Sequence, residues 1–398
     1  MTSTNWWPSS TQPSTFLAPH LVAGGAGSAR NLAPLLRNEL HIDGGKVFLA
    51  IDDAVDAAGL ISPIADSLKS SGFEVVQRGG FGAEPVDEIV DAAAAEARSQ
   101  DVTAVIGVGG GSVLDSAKLI ALLLRNEGGS ADWVGAVEPG TEVAPLLLIP
   151  TTCGTGSETT NIAMVTVAGN KRSSVCSGFV PPVAVLDPEL IASLPPKVIA
   201  ATGMDALAHA VESLMSTQAS MLSAHASFHA MELLIGNLER AVAGDKEALA
   251  YTLWGAHLGG QSLNAGVVLG HSMAYSFAHA TPMPHGVSCA LALPYCIAFN
   301  QNIDSRLAER IALALTAGKS DSLREAAQEV QDLARRIGLP TTYAEARIDP
   351  SRSDELAAYC AAQYPRPTNP EGMDAERLQI LFSAVETGDL NLAFSATA

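Results

Sequence analysis

The stretch LGHSMAYSFAHATPMPHG, residues 269–286, gathers His271, Tyr275, His279 and His285. The chain has nine histidines in 398 residues, so three in one short segment ask for a chemical reason. Imidazole is both a common metal donor and the proton carrier of neutral pH. Upstream, GMDALAHAVE (203–212) sets Asp205 and His209 four apart, which puts them on one face if the segment is helical. A carboxylate and an imidazole so spaced can fill two positions around a metal ion, and His271 and His285 can supply two more. One aspartate and three histidines without a thiolate suit Fe²⁺ or Zn²⁺, and the carboxylate and the lack of cysteine favour Fe²⁺. Read alone, Asp205 and His209 are more simply a first-turn carboxylate and a helix-face histidine. His225 and His229, also four apart, lie in an amphipathic run and read as helix-face residues.

Two further segments offer backbone and hydroxyl donors. GVGGGSVLDSAK (107–118) leaves an apolar strand and enters a helix, where missing Cβ atoms and a helix N-terminus suit a phosphate. It departs from the usual dinucleotide fingerprint: Ser112 stands where the last glycine belongs, and the turn follows the third readable strand, not the first. By itself the turn reads equally well as structural. IPTTCGTGSETT (149–160) is a second Gly- and hydroxyl-rich loop after a strand.

These segments need a frame. Between about 46 and 187, short apolar runs (KVFLAID, FEVVQRG, VTAVIGVGG, APLLLIPT, VAVLD) alternate with helical ones, which predicts a parallel sheet covered on both faces. From about 196 the chain turns Ala-, Leu- and Met-rich and reads as successive helices, broken by Gly and Pro near 259–260, 282–284, 338–340 and 365–370. The expected organisation is a flexible leader over 1–15, a dinucleotide-binding α/β domain over 16–195 and a helical metal-binding domain over 196–398, with a ligand cleft between the domains. Trp6 and Trp7 in the leader are candidates to cover an apolar patch.

Composition excludes several classes. With 47% hydrophobic and 16% charged residues the chain is globular,. A formal charge of −19 and a pI near 4.8 argue against nucleic acid and anionic membrane partners. No signal peptide and no apolar run of spanning length is readable, so a cytoplasmic location is expected. Five cysteines with no CxxC pair argue against disulfides and thiolate zinc sites.

Taken in order, GGGSxxDxAK, PTTxGTGSE, KRxxV with the following DPEL and LPP, GMDALAHAVES, and GHSMA with PHG resemble the iron-containing (group III) alcohol dehydrogenase family from about residue 16 onward. The resemblance implies a dehydroquinate synthase-like architecture: a Rossmann-like α/β domain with a non-standard glycine turn, then an all-helical domain. It implies Asp205, His209, His271 and His285 as metal ligands, with Gly109, Gly110, Gly111 and Ser112 cradling a pyrophosphate. Thr151, Thr152 and Lys171 would line the nucleotide groove, Asp115 would lie on the nicotinamide side, and Asp52 would meet the adenosine ribose. A carboxylate accepts ribose hydroxyls and repels a 2′-phosphate, so NAD(H) is favoured over NADP(H).

The chain departs from the family at HSMAY. Many members carry HxMxH there, with the second histidine as proton relay, whereas this chain has Tyr275. Three readings stand: Tyr275 relays or binds substrate, His279 acts from about 5.4 Å of helix rise away, or ribose and solvent carry the proton. The expected activity is NAD-dependent alcohol dehydrogenase or aldehyde reductase on a small alcohol or aldehyde, with Fe²⁺ (or Zn²⁺) as Lewis acid, in a homodimer or larger assembly. The alternatives are a metal-independent NADH reductase of the maleylacetate reductase type, a lyase like dehydroquinate synthase, and a non-catalytic protein whose site has decayed.

Overall fold

The structure, a computed structural model, describes residues 6–138 and 140–398. The chain divides into two compact units, Leu17–Ser193 and Leu194–Ala398, the second including the described part of residues 1–16.

The first unit runs β1 (Leu21–Gly24), α1 (Ala33–Asn38), β2 (Gly45–Ile51), α2 (Asp53–Ala57), α3 (Ser62–Ser70), β3 (Phe73–Arg78), α4 (Asp87–Ser99), β4 (Ala104–Gly109), α5 (Gly111–Leu123), β5 (Gly135–Ala136), β6 (Leu146–Pro150), β7 (Ile162–Val167), β8 (Asn170–Val175) and β9 (Val183–Leu186). Six strands form one sheet in the order β1-β9-β6-β4-β2-β3, and every pair in it is parallel. Its strands are apolar throughout because both faces are buried. On β2, Val47, Leu49 and Ile51 join one core cluster, while Phe48 and Ala50 join the other, under α4 and α5.

Two features differ from the sequence reading. The short strand β1 precedes KVFLAID, so the glycine turn follows the fourth strand in chain order, and β4 lies inside the sheet between β6 and β2. Four half-exposed residues, LVAG, carry too little pattern to announce a strand. A second sheet, β5-β8-β7, contains an antiparallel hairpin of β7 and β8. Its two-residue turn puts Ala168 at φ 49° and Gly169 at φ 76°, which the alanine adopts at a cost of about 1 kcal/mol.

The second unit is helical: α6 (Pro196–Met215), α7 (Met221–Val242), α8 (Lys246–Ser262), α9 (Leu269–Ala280), α10 (His285–Phe299), α11 (Ser305–Leu315), α12 (Leu323–Arg336), α13 (Tyr343–Ala346), α14 (Ser353–Gln363), α15 (Ala375–Thr387) and α16 (Leu390–Ser395). α6 packs against α7, α8 and α10. The Gly259–Gly260 doublet, expected to break a helix, instead lies within α8. A Cβ at Gly259 would stand 2.9 Å from the Ala206 carbonyl oxygen, so glycine there lets α8 approach the backbone of α6 beside Asp205.

Residues 1–5 of the expected leader lie outside the described residues. From Trp6 the segment is described: the Arg310 guanidinium on α11 lies 4.6 Å from the Trp7 ring and 3.9 Å from that of Phe228. No helix among the described residues is long and apolar enough to cross a membrane.

Candidate metal centre and nucleotide turn

Helix α6 starts at a proline, whose fixed φ and missing N–H suit the first helical position,. Asp205, His209 and Glu212 follow at i, i+4 and i+7, and all three are buried. Oδ1 of Asp205 has no hydrogen-bond partner among the described residues. Facing it are Nε2 of His209 at 3.6 Å, Nε2 of His271 at 3.8 Å and Nε2 of His285 at 3.6 Å. The rings of His209 and His271 stack with centroids 4.9 Å apart. A buried carboxylate oxygen encircled by imidazole nitrogens, yet bonded to none, is an arrangement that a divalent cation fits.

Glu212 explains how His271 is held. Its Oε1 pairs with His271 Nδ1 at 2.6 Å, and its Oε2 accepts from the amides of Val268 and His271 at 2.9 and 3.1 Å. One carboxylate from α6 therefore satisfies orphan amides at the N-terminus of α9 and binds the imidazole that α9 carries. With Nδ1 as donor to Glu212, the lone pair of Nε2 faces Asp205. Gly270 belongs to the same arrangement: a Cβ there would fall 2.6 Å from Glu212 Oε1. His285 opens α10 after Pro284. The next residue, Gly286, lets that first turn lie on α6, where a Cβ would meet the Ala201 carbonyl oxygen at 2.1 Å.

The electrostatics follow from burial and proximity. Burial alone would push the Asp205 carboxyl up, but His209, His285 and His271 outweigh it and hold the group below the usual range. Burial works against a charge on His271, yet the Glu212 carboxylate, with Asp205, raises it above the ordinary histidine value.

A sulfur lies beside these groups. Cys289 is buried one turn after His285 on α10, with Sγ 3.5 Å from His285 Nε2 and 3.8 Å from His271 Nε2. Donor atoms of Asp205, His271, His285 and Cys289 all lie within 4.8 Å of one another. Glu212 and Cys289 are the residues that sequence reasoning missed. Their signals were present as helical spacing: seven after Asp205 and four after His285.

The two relay candidates part company. Tyr275 stacks on His285 (centroids 5.4 Å apart, 14° between planes) and meets His271 edge-on at 6.2 Å. Burial pushes its phenol up to about 12. His279 is exposed and stacks on Tyr359 at 4.1 Å. Its ring is not among those that converge on Asp205.

In the α/β unit, Gly109 closes β4, Gly110 is the N-cap of α5 and Gly111 begins it, with no side chain capping the helix. A Cβ on Gly109 would stand 2.5 Å from Val113 Cβ, so this glycine serves the tight passage from strand to helix. The Ser112 hydroxyl donates to the Gly82 carbonyl at 2.9 Å. Thr151 is buried, its amide bonded to the Gly109 carbonyl at 2.9 Å, and Thr152 is half-buried beside Gly110. Asp115 is engaged internally: it accepts from Ser157 Oγ at 2.6 Å and from the Met164 amide at 3.0 Å, and lies 3.8 Å from the buried Lys118 ammonium. Burial raises the Asp115 carboxyl above its usual range. Burial likewise lowers Lys118, to about 8. Lys171, exposed on β8, pairs with Glu84 at 3.1 Å. Asp52 follows β2 and caps α2, its Oδ1 accepting from the Ala54 and Val55 amides at 2.9 and 3.3 Å.

Comparisons with known proteins place the chain in a family. Residues 19–188 match the family description "iron-containing alcohol dehydrogenase", and residues 199–385 match the C-terminal region of the Fe-containing alcohol dehydrogenase family. Long-chain-alcohol dehydrogenase 1 of Geobacillus thermodenitrificans (strain NG80-2) is 36% identical over 352 residues, covering 85% of this chain and 88% of its own. NAD-dependent methanol dehydrogenase of Bacillus methanolicus is 29% identical over 354 residues, covering 86% and 92%. The crystal structure of a 1,3-propanediol oxidoreductase superposes with a TM-score of 0.86 at 26% identity, covering 94% of this chain and all of its own. The fold is the dehydroquinate synthase-like one shared by such enzymes, and the chain belongs to the iron-containing alcohol dehydrogenase family of oxidoreductases.

Proposed function

We propose that this protein is a metal-dependent NAD(H) alcohol dehydrogenase and aldehyde reductase acting on a small alcohol or aldehyde. The observation that carries the reading is the buried Asp205 Oδ1, with no hydrogen-bond partner among the described residues and within 3.6–3.8 Å of three imidazole Nε2 atoms. Asp205, His209, His271 and His285 are the proposed ligands of Fe²⁺, with Zn²⁺ the other candidate. A bound ion supplies Lewis acidity toward the substrate oxygen. Glu212 keeps His271 in the tautomer whose Nε2 is a donor.

A bound nicotinamide would supply or take up hydride at the carbon that bears that oxygen, and the proton for reduction would come from solvent or ribose hydroxyls. A phenol held near 12 is a poor carrier at neutral pH, so Tyr275 is proposed to shape the pocket beside His285. His279, exposed against Tyr359, is proposed to take no part in proton transfer. The amides opening α5 at Gly111 and Ser112, with Gly109, Gly110, Thr151, Thr152 and Lys171, are proposed to hold the dinucleotide. Asp115, on the nicotinamide side, is proposed to stiffen that turn through Ser157 and Lys118. Asp52 has one carboxylate oxygen left after capping α2, which supports ribose binding and NAD(H) over NADP(H). NAD dependence stands in the name of the Bacillus methanolicus relative. The two relatives are named for methanol and for long-chain alcohols, so chain length is a matter for assay.

The proposed domain boundaries are 16–195 and 196–398. Cysteines without a disulfide framework fit a reducing compartment, the cytoplasm. Exposed Met221, Leu222, Tyr251, Trp254 and Leu313 on α7, α8 and α11 support a homo-oligomer, a dimer or larger.

The test is metal analysis of tag-free protein purified without oxygen, followed by NADH oxidation with aldehydes of graded length. About one iron or zinc per chain, with turnover lost to chelation and restored by Fe²⁺ or Zn²⁺, is expected. Full turnover in metal-free protein would overturn the reading in favour of a metal-independent reductase.

A further inference from the structure

We propose that Arg366 determines specificity by receiving an anionic end group, so that the preferred substrates are short alcohols or aldehydes with a carboxylate at their far end. The proposal rests on the metal-dependent dehydrogenase reading above and names the substrate class of that site.

The segment YPRPTN (364–369) sets Arg366 between Pro365 and Pro367. The proline that follows confines Arg366 to extended backbone, and both rings stiffen the segment. Asn369, three residues on, is buried and pins the chain. Its Oδ1 accepts from the Leu269 amide at 3.2 Å and from Asn300 Nδ2 at 3.0 Å, and its own Nδ2 donates to Asn300 Oδ1 at 3.0 Å. The Ser272 hydroxyl, next to His271 on α9, completes the hold. It donates to the Tyr364 carbonyl at 2.7 Å and accepts from Arg366 Nε at 3.2 Å.

That bond at Nε orients the guanidinium and leaves its two terminal NH₂ groups without a hydrogen-bond partner among the described residues. Those two groups are the fork that grips a carboxylate with parallel hydrogen bonds. The nearest acids that follow in the chain are engaged elsewhere: Glu371 and Asp374 both pair with Arg377, at 3.3 and 3.4 Å. The chain has 42 acidic residues against 23 lysines and arginines, yet this half-buried arginine has none of them as a partner among the described residues. A partly desolvated charge held in one orientation and left unpaired is a site prepared for an anion.

Its surroundings connect it to the candidate metal centre. Tyr364 packs against Tyr275 with ring centroids 5.0 Å apart, and Tyr275 stacks on His285 at 5.4 Å. Burial pushes the Tyr275 phenol up to about 12, and Arg366 is the leading charge that pulls it back. At His271, burial and the Glu212 and Asp205 carboxylates act first, and Arg366 adds a smaller push against protonation. A substrate with its oxygen toward the imidazole cluster and its carboxylate on Arg366 would be oriented at both ends.

The test measures NADH oxidation by full-length, metal-loaded protein with ω-oxo acids of graded length and with their methyl esters, which keep the shape and lack the charge. Wild type is compared with Arg366→Gln, Arg366→Lys and Arg306→Gln, the last an exposed control on α11. Wild type and R306Q should favour the acid over its ester by about 10–100-fold in kcat/KM at the best chain length, mainly through KM. R366Q should lose that preference while its turnover of the ester stays within about threefold of wild type. R366K should keep part of it, because an ammonium retains the charge without the fork. Calorimetric titration of the metal-free protein with glutarate, a dicarboxylate that cannot be reduced by hydride transfer here, reads the same subsite without turnover: wild type should bind it and R366Q should not. Metal-dependent turnover with no preference for the acid would overturn the anion subsite and leave the dehydrogenase reading standing. R366Q that loses acid and ester alike would make Arg366 a prop of its loop and overturn the proposal too. If no aldehyde is turned over, the dehydrogenase reading falls, and the glutarate titration decides the subsite alone, with no binding by wild type overturning it.

Discussion

Replacing Glu212 separates a fold-holding role from a metal-positioning one. Its carboxylate accepts from His271 Nδ1 at 2.6 Å and from two amides that open α9, at 2.9 and 3.1 Å, and the side chain is 1% exposed. In Glu212→Ala all three donors are left in a buried site, and removing one member of such a set costs about 3–5 kcal/mol. For a unit of this size that is a fall in Tm of about 6–20 °C. Glu212→Gln behaves differently. Its carbonyl can serve the two amides, and its NH₂ then faces His271 Nδ1. The imidazole accommodates this by moving its proton to Nε2, the atom that faces Asp205. The fold is thereby kept within about 1–2 kcal/mol, while the lone pair needed for a metal is blocked, an effect of about 10–100-fold on affinity.

Zinc competition against a chromophoric chelator, with apo thermal unfolding in parallel, measures both. pH supplies a further readout. His271 is raised above the ordinary histidine value by Glu212 against the pull of burial. Metal must displace its proton, so wild-type affinity should weaken as pH falls through that raised value. E212Q removes the main raising charge, so its acid limb should move to lower pH even though its plateau affinity is weaker. E212Q that binds zinc as wild type does, with the limb unmoved, would refute the assignment of Glu212 as the residue that orients His271.

Gly270→Ala drives a methyl to 2.6 Å from the Glu212 carboxylate and should lower apo stability by about 1–3 kcal/mol, together with metal affinity. Gly286→Ala meets a backbone carbonyl at 2.1 Å, which cannot swing aside, and calorimetry should find the larger loss there. With the Tyr275 phenol near 12, Tyr275→Phe should leave every limb of the kcat–pH profile below pH 10 in place and change KM instead. A limb that disappears would restore Tyr275 as a relay. His279→Ala should alter kcat/KM by less than about threefold, because a change remote from the reacting atoms leaves transition-state binding intact. Asp52→Ala removes the α2 cap, a loss of about 1 kcal/mol, and should narrow the preference for NADH over NADPH in steady-state kinetics. An unchanged preference would remove Asp52 from ribose recognition.

Why some of this was readable and some not comes down to what each pattern records. Continuous apolar runs such as KVFLAI and LLLIP announce strands buried on both faces, and they became the inner strands β2 and β6. The strand order β1-β9-β6-β4-β2-β3 is decided by packing between elements distant in sequence, which no local run encodes. The β7–β8 hairpin is legible only as two short runs joined by Ala168–Gly169, and the polar KRSSV run carries no strand-like apolar pattern. Gly259–Gly260 misled for the opposite reason: glycine marks a break when it supplies positive φ, and here it supplies room inside a helix against Ala206. At the candidate metal centre, Asp205, His209, His271 and His285 are legible because imidazoles are rare in this chain. Glu212 is one of many acidic residues, and only its burial against the start of α9 sets it apart. Cys289 is invisible to CxxC spacing, which detects sites built on tight turns, yet it follows His285 by one helical turn and its sulfur lies beside that imidazole,.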